Sequence, residues 1–554
     1  MSVVKPERIK AYKDREPLDT VEEIKRILKD MDIKTSETRY YNPQADVYSC
    51  NVFISGAELE QLQIGTNGKG MSEEYSLASG YAEFMERLQN GILFGLDNDS
   101  FFDGEILETE DCREDITTFF RDNFGEHEKA SKWFISNYNS FRMLPFTSAD
   151  GMSRIRIPAD IMLRLCTSNG MCAGNSFKEA VIQGVSEIFE RYAQRRIIME
   201  KLCPPVVPYE YFEGSSIFEK LTRLSKCGVS FEIRDCSLGI GLPVIGVYMK
   251  LGDGRELFHL GADPSPVTSL ERCLTEIFQG IDSINEAEFH EPDTNDHDEM
   301  FWKYQLQLAS WGGNIYPKEL SGKKYDWKFE GFNHSISISN DDDFIWYLSI
   351  IERLGKTLYI RDMSFTGFPA YWCYIPELSV LDFSSDDGEE IKNFFEYSIR
   401  LKNARRLPLL NEDELRQFTS DYSEYLDSFW YYETDNYARR FFPSGFKVDD
   451  NTDMYCILAY LYAACGMKAE AADAMENHMV SAYLTDEDEA MCEEFIECMF
   501  SGTDSSGNGF NIPKQRFPVC LDCGSCKVRE RCYHKQLLAL IEKVRKYYAF
   551  QKTK

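Results

Sequence analysis

Apolar and polar positions follow two periods along this chain, one typical of helices and one typical of strands. Helical spacing over residues 18–32 predicts a first helix with Asp19 or Thr20 as its N-cap. Two strand-like runs follow, at 46–54 and 59–66, and a short turn with Ser and Gly separates them. The pattern therefore predicts a helix followed by a β-hairpin.

Two glycine-containing turns each lead into a predicted helix. The turn at 67–70 precedes a helix over 72–89, and the turn at 168–176 precedes a helix over 178–202. The further predicted elements are strands at 229–234, 242–251, 257–261, 357–362 and 370–375, and a helix at 266–284. This alternation predicts a mixed α/β (α+β) core.

Beyond residue 405 the chain becomes rich in acidic helices. The spacing of small and aromatic residues over 458–475 matches one tetratricopeptide (TPR) helix pair, although a plain helical hairpin explains it nearly as well. A Gly/Ser/Asp linker follows at 501–509. The predicted domains are an α/β domain at 1–405, a helical TPR-like region at 406–500 and a Cys-rich tail at 510–554.

Charge and cysteine usage narrow the classes of function. The formal net charge is −31, which argues against a broad nucleic-acid surface or an anionic membrane surface and is compatible with basic protein partners. The first residues lack an apolar segment and no long apolar stretch follows, so neither a signal peptide nor a membrane span is predicted. Most of the 17 cysteines stand singly in apolar segments, which favours a cytoplasmic protein with reduced thiols.

The motif Glu-x-x-Glu-Arg occurs twice, at 83–87 and 187–191, within apolar helices rich in small residues. The small residues Ser79, Gly80 and Gly184 would let something approach the helix backbone. Carboxylates that converge in a packed core need a cation, and oxygen ligands without His or Cys favour Mg²⁺, which commonly also takes phosphate oxygens. A buried Glu–Arg ion pair is the structural alternative, but two copies after similar turns favour the cation.

Two further segments carry charged residues that bear on a phosphate and cation site. Lys69 lies in a glycine turn before a helix, a natural place for phosphate. A third helix carries Arg272 and Glu276 after the turn at 261–265; alone, this pair is typical of an exposed salt bridge.

Together the three turn-and-helix segments resemble the YcaO family, and the resemblance covers about residues 10–400. It implies an ATP- and Mg²⁺-dependent protein that activates a peptide or protein amide by phosphorylating its oxygen. The resemblance gives Glu83, Glu179 and Glu190 as Mg²⁺ ligands, with Glu86, Glu187 and Glu276 sharing that role or holding the ligands. The implied ATP contacts are Lys13, Thr20, Lys69, Ser79, Glu83, Glu86, Cys172, Asn175, Glu187, Arg191, Arg272 and Glu276.

The chain departs from the family pattern at three points. Cys172 and Thr20 stand where similar members have serine, and the proline-rich C-terminus of the azoline-forming branch is missing. The missing proline-rich C-terminus favours the stand-alone bacterial branch, and resemblance to that branch implies a homodimer that assists a methylthiotransferase acting on a ribosomal protein. The alternatives are a thioamide- or azoline-forming enzyme of a peptide natural-product pathway and a non-catalytic ATP-binding scaffold.

Four cysteines near the C-terminus are spaced for one metal ion or cluster. They are Cys520, Cys523, Cys526 and Cys532. The spacing fits a [4Fe–4S] cluster or a structural Zn²⁺, and the alternative is free thiols in a flexible tail.

Overall fold

The structure is a computed structural model that describes residues 13–56, 64–94, 104–125, 128–308, 315–332, 339–381, 407, 410–428, 454–481, 484–501 and 533–553. The chain divides into two compact units, Met1–Gly388 with Lys543–Lys554, and Glu389–Glu542.

The described strands all belong to the first unit. They are β1 (Thr35–Asn42), β2 (Val47–Ile54), β3 (Gly65–Gly70), β4 (Glu105–Glu108), β5 (Ser140–Ser148), β6 (Arg154–Pro158), β7 (Met171–Ala173), β8 (Val229–Asp235), β9 (Val244–Leu251), β10 (Glu256–Ala262), β11 (Tyr359–Asp362) and β12 (Ala370–Tyr374). They form three antiparallel sheets, with the orders β1-β2-β3, β10-β9-β8 and β4-β5-β11-β12-β7, and β6 pairs with β5.

The described helices of the first unit surround these sheets. They are α1 (Pro17–Asp30), α2 (Glu73–Gln89), α3 (Thr109–Phe124), α4 (Glu128–Asn137), α5 (Ala159–Cys166), α6 (Phe177–Met199), α7 (Ser216–Lys226), α8 (Pro266–Ile277), α9 (Glu299–Leu308) and α10 (Asn340–Arg353). The predicted mixed α/β fold of this part of the chain is confirmed.

One arrangement occurs three times: the end strand of a sheet leads directly into a helix capped by serine. Strands β3, β7 and β10 lead into α2, α6 and α8, and the side chains of Ser72, Ser176 and Ser265 accept a backbone N–H from the first turn of each helix. Helix α2 also packs against β7, α6 against β10, and α8 against β3. The three helices therefore close a ring in which each helix bridges its own sheet and the next.

Close approach between strand and helix explains most of the small residues in these segments. A Cβ atom at Gly68 would lie 2.1 Å from the Ser76 carbonyl oxygen, and one at Gly80 would lie 2.9 Å from Cys50 Sγ. A Cβ atom at Gly184 would meet Cys172 Sγ at 2.9 Å. The expected close approach to the helix backbone at Gly80 and Gly184 is thus observed, and the groups that approach are strand residues of the chain itself.

Several element predictions also need correction. The predicted turn at 67–70 is part of strand β3, where Lys69 pairs with Ser49. The N-cap position of α1 is Glu16, whose side chain makes no capping hydrogen bond, and Pro17 follows it; the predicted N-cap residues Asp19 and Thr20 lie inside the helix. The helix predicted at 266–284 ends at Ile277. Strand β1 was not predicted, and residues 57–63 of the expected hairpin lie outside the described ranges.

The second unit contains the helices α11 (Glu412–Ser428), α12 (Met454–Ala464), α13 (Lys468–Ser481) and α14 (Asp486–Ser501). The last helix is α15 (Tyr533–Lys552), and its residues from Lys543 onward are assigned to the first unit. The predicted helix pair is observed as α12 and α13, joined at Gly466, which has a positive φ of 74°. Its identity as a TPR repeat stays a prediction, as do the three predicted domain boundaries.

Among the described helices, none combines the length and apolar character needed to cross a membrane. The four tail cysteines lie outside the described residues.

Candidate active site

The three equivalent helices each carry a glutamate at the same distance from the N-cap serine. These residues are Glu83 on α2, Glu187 on α6 and Glu276 on α8. With Glu86 and Glu190, one turn further along α2 and α6, they make up what we call the acidic centre. The ring of helices thus carries carboxylates from three sequence segments that lie far apart.

Lys69 connects the first and third segments. Its ammonium group forms an ion pair with the Glu276 carboxylate. Burial lowers the pKa of Lys69 to about 8, while the charges of Glu83 and Glu190 act in the opposite direction. Lys69 therefore lies on a strand among the glutamates, not at a helix N-terminus as the sequence suggested.

Helix α2 contributes a carboxylate that is unfavourable in its ionised form. Glu86 is 8% exposed, and burial raises its pKa well above the usual range; Glu83 and Glu187 raise it further and Arg87 opposes them. Arg87 lies 3.4 Å from a Glu83 oxygen and 3.5 Å from a Glu86 oxygen. One guanidinium is thus shared by two carboxylates.

Helix α6 carries a second carboxylate whose pKa is raised by burial. Burial raises the pKa of Glu187, Arg191 and Arg87 oppose it, and Glu190 and Glu83 add to it. Glu190 accepts a hydrogen bond of 3.2 Å from the backbone N–H of Ala262, at the end of β10. The second Glu-x-x-Glu-Arg motif therefore interacts with both neighbouring segments.

A second group of predicted residues lies at the N-terminus of α6. Thr20 donates to the Asn175 side-chain oxygen at 2.7 Å, and the Asn175 side chain donates to Glu179 at 3.2 Å. Lys13 Nζ lies 3.7 Å from the same Glu179 oxygen. The structure thus brings together Lys13, Thr20, Asn175 and Glu179.

The remaining predicted residues take different positions. Arg272 donates to the Gln183 side chain and lies 3.5 Å from Asp263, whereas Glu276 forms its ion pair with Lys69. Ser79 is half-buried on α2. Cys172 is fully buried, and its thiol donates to the Tyr371 carbonyl at 3.5 Å.

Two residues near the acidic centre escaped the sequence analysis. His259 on β10 donates from Nδ1 to the Leu260 carbonyl at 2.8 Å. Burial lowers the pKa of His259 to about 4, the Leu260 hydrogen bond opposes this, and the charges of Lys69 and Arg191 lower it further. Asp263 is 3% exposed beside Arg272. A single His in a strand and a single Asp in a turn carry no sequence signal by themselves.

Within the described ranges, no three His, Cys, Asp or Glu side chains form a ready metal-binding group. The glutamates are instead held by protein donors: Glu276 by Lys69, Glu190 by Ala262 and Glu179 by Asn175. The donors are all oxygen, and the pKa values of Glu86 and Glu187 are raised by burial. The chemistry of this set fits a hard cation such as Mg²⁺.

Comparison with known proteins shows the family of the chain. A family model described as "YcaO cyclodehydratase, ATP- and Mg2+-binding" matches residues 67–379. The chain is 28% identical over 399 residues to the "Ribosomal protein S12 methylthiotransferase accessory factor YcaO" of Escherichia coli, covering 66% of this chain and 65% of that protein. It is 25% identical over 408 residues to an uncharacterized protein of Haemophilus influenzae, covering 68% and 66%. The matches thus span just under two thirds of these relatives.

Solved structures give weaker likenesses. A heterocyclase in complex with substrate and cofactor matches with a TM-score of 0.49 and 17% identity, over 66% of this chain and 52% of its own. A YcaO from Methanopyrus kandleri bound with AMPPCP and Mg²⁺ matches with a TM-score of 0.44 and 14% identity, over 68% and 95%. Because the family model covers more than half of the sequence, including both Glu-x-x-Glu-Arg motifs, the chain belongs to the YcaO family.

Proposed function

We propose that this chain is an ATP- and Mg²⁺-dependent protein that acts on a protein or peptide amide and assists a methylthiotransferase that modifies a ribosomal protein. The observation that carries the proposal is the set of glutamates at equivalent positions on three helices, with buried carboxylates whose pKa values are raised. The description of the family and the name of the Escherichia coli relative support it.

The proposed Mg²⁺ ligands are Glu83, Glu86, Glu179, Glu187, Glu190 and Glu276. Four of these glutamates are also proposed nucleotide contacts, namely Glu83, Glu86, Glu187 and Glu276. The other proposed nucleotide contacts are Lys13, Thr20, Lys69, Ser79, Cys172, Asn175, Arg191 and Arg272. Cys172 is the weakest member of this set, because its thiol is fully buried and faces the Tyr371 carbonyl.

Bound ATP would supply the phosphoryl group that activates an amide oxygen, and Mg²⁺ would neutralise the phosphate charge. The protein's part is to orient and neutralise, because phosphoryl transfer depends mainly on positioning and cations. Lys69 is well placed for this, since it lies among glutamates from all three helices. If the ion pair between Lys69 and Glu276 opened, Lys69 would become available to phosphate and Glu276 to the cation.

Thioamide or azoline formation in a peptide natural-product pathway is the second candidate, and the word cyclodehydratase in the family description favours it. Two genetic observations distinguish these two candidate functions. A neighbouring precursor-peptide gene would support peptide modification, whereas loss of ribosomal-protein methylthiolation on deletion of this gene would support the accessory role.

The test of the proposed site is Mg²⁺-dependent ATP hydrolysis by the wild type, Glu83→Ala and Glu190→Ala, with and without candidate substrates. We expect each variant to lose about 100-fold or more in rate. Glu22→Ala is the matched control, because Glu22 is exposed on α1. Equal rates in all four proteins would remove the site assignment. ATP binding without phosphate release, even with substrates, would support a non-catalytic scaffold.

We further propose that Cys520, Cys523, Cys526 and Cys532 bind one [4Fe–4S] cluster or Zn²⁺, because four thiolates at this spacing suit a single centre. Elemental analysis of anaerobically purified protein tests this, and protein free of iron and zinc would contradict it. The homodimer and the cytoplasmic location also stay predictions.

A further inference from the structure

A short segment ahead of α1, residues 13–16, lies against the N-terminus of α6. Its central residue is Asp14, whose backbone N–H donates to Glu179 Oε2 at 2.8 Å. The Asp14 carboxylate accepts hydrogen bonds from Ser176 Oγ at 2.5 Å and from Asn340 Nδ2 at 2.6 Å. One residue thus contacts two helices and a proposed metal ligand.

The two side-chain donors mark the beginnings of neighbouring helices. Ser176 is the N-cap of α6, and Asn340 is the first residue of α10, which packs along α6. An anionic group at two helix N-termini is favourable, because the peptide dipoles place partial positive charge there. An ion pair also joins the same two helix ends, with Lys178 Nζ 2.7 Å from Asp341 Oδ1. The carboxylate of Asp14 therefore fastens the segment where α6 and α10 meet.

The same segment fixes the surroundings of Glu179. One oxygen of Glu179 is held by the Asp14 backbone, and the other is held by Asn175 and faced by Lys13 at 3.7 Å. Thr20, one turn into α1, donates to Asn175. Because Glu179 is only 7% exposed, its orientation depends on these contacts rather than on water.

We propose that Asp14 is a positioning residue of the nucleotide site: it holds Lys13 beside Glu179 and aims Glu179 without touching the nucleotide itself. This inference rests on the proposed function, since it takes Lys13 and Glu179 as contacts of Mg²⁺–ATP. Asp14 is exposed, so its effect comes from orientation rather than from burial of charge.

The experiment compares wild type, Asp14→Ala and Asp14→Asn in the full chain, by calorimetric titration with ATP in the presence of Mg²⁺ and by thermal unfolding. We expect Asp14→Ala to bind about tenfold more weakly, as loss of two charge-assisted hydrogen bonds implies, with the unfolding temperature little changed. Asp14→Asn keeps an acceptor for Asn340 and should recover part of the affinity. Asp19→Asn, an exposed charge in the first turn of α1, is the matched control and should bind like the wild type.

A double-mutant cycle separates positioning from simple loss of stability. Asn340→Ala should weaken binding about threefold in the wild type and hardly at all in Asp14→Ala, because the two groups act through one hydrogen bond. Wild-type affinity in Asp14→Ala, or fully additive losses in the cycle, would overturn the inference while leaving the proposed function intact. A wild type that does not bind Mg²⁺–ATP would instead overturn the proposed function, and this role with it.

Discussion

Replacing Glu86 with Gln should stabilise the metal-free protein although it removes a proposed Mg²⁺ ligand. Glu86 is 8% exposed, and burial together with the charges of Glu83 and Glu187 raises its pKa well above the usual range. Arg87 lies 3.5 Å from Glu86 and also 3.4 Å from Glu83, so Arg87 keeps a partner in the variant. The amide is close in shape to the carboxyl group and carries no charge.

The expected gain is about 2 kcal/mol at pH 7, because replacing buried charges with uncharged groups of similar volume is often stabilising by about 1–4 kcal/mol. The folded-state pKa of Glu86 is raised above the unfolded value of 4.5. The free energy of unfolding of the wild type therefore decreases as the pH rises above 4.5, because Glu86 must ionise in a buried position. Below pH 4.5 the stability advantage of Glu86→Gln should vanish.

Urea denaturation in EDTA, at pH 7 and at pH 4, measures the effect, with Glu22→Gln as the exposed control. The two accounts of Glu86 predict changes of opposite sign in the free energy of unfolding of Glu86→Gln. If Glu86 and Arg87 formed a purely structural ion pair, removing one partner would cost about 3–5 kcal/mol. A clear loss of stability for Glu86→Gln at pH 7 would therefore refute the reasoning. Added Mg²⁺ and ATP should stabilise the wild type more than the variant.

Two further predictions concern the framework of the site. Gly68→Ala should cost about 3 kcal/mol, because the new Cβ would lie 2.1 Å from a backbone oxygen of α2; Gly252→Ala, with no atom within 4 Å, should be neutral in the same urea experiment. Burial raises the pKa of Glu37, but hydrogen bonds from three side chains lower it to about 2. The donors are Lys25, Arg39 and Tyr81. Because the folded-state pKa is depressed, Glu37 stabilises the fold above pH 4.5, and this contribution falls away toward pH 2. Glu37→Gln should therefore lose about 1–2 kcal/mol at pH 7, discounted for the exposed Lys25 and Arg39, and match the wild type at pH 2; an equal difference at both pH values would contradict this assignment.

Sequence patterns identified the helices that carry the glutamates because their signals are local. Ser72 and Ser176 stand directly before apolar helical runs, and each run carries Glu-x-x-Glu-Arg. Strand β1 was missed because its exposed face is polar. Its two charged residues, Glu37 and Arg39, are of types that are typical of turns and surfaces. Residues 67–70 of β3 were predicted as a turn because Gly68 and Gly70 are of a type usual in turns, whereas here these two glycines allow α2 to approach the sheet.

The contacts within the site depend on tertiary structure and could not be predicted. Lys69 and Glu276 are more than 200 residues apart, and only the closure of α8 on β3 brings them together. Asp14 and Asn340 are further apart still, and neither belongs to a motif. The residue types of the acidic centre were thus predictable, whereas their partners in the absence of ligand were not.

The central claim is that three helices contribute to one Mg²⁺–ATP site. Its most direct test is the affinity for ATP in the presence of Mg²⁺, measured by calorimetry for Glu83→Gln, Glu187→Gln and Glu276→Gln. We predict that each variant, although altered on a different helix, loses at least about tenfold in affinity relative to wild type and to the Glu22→Gln control. Wild-type affinity in any two of the three variants would contradict the claim that the helices form a single site.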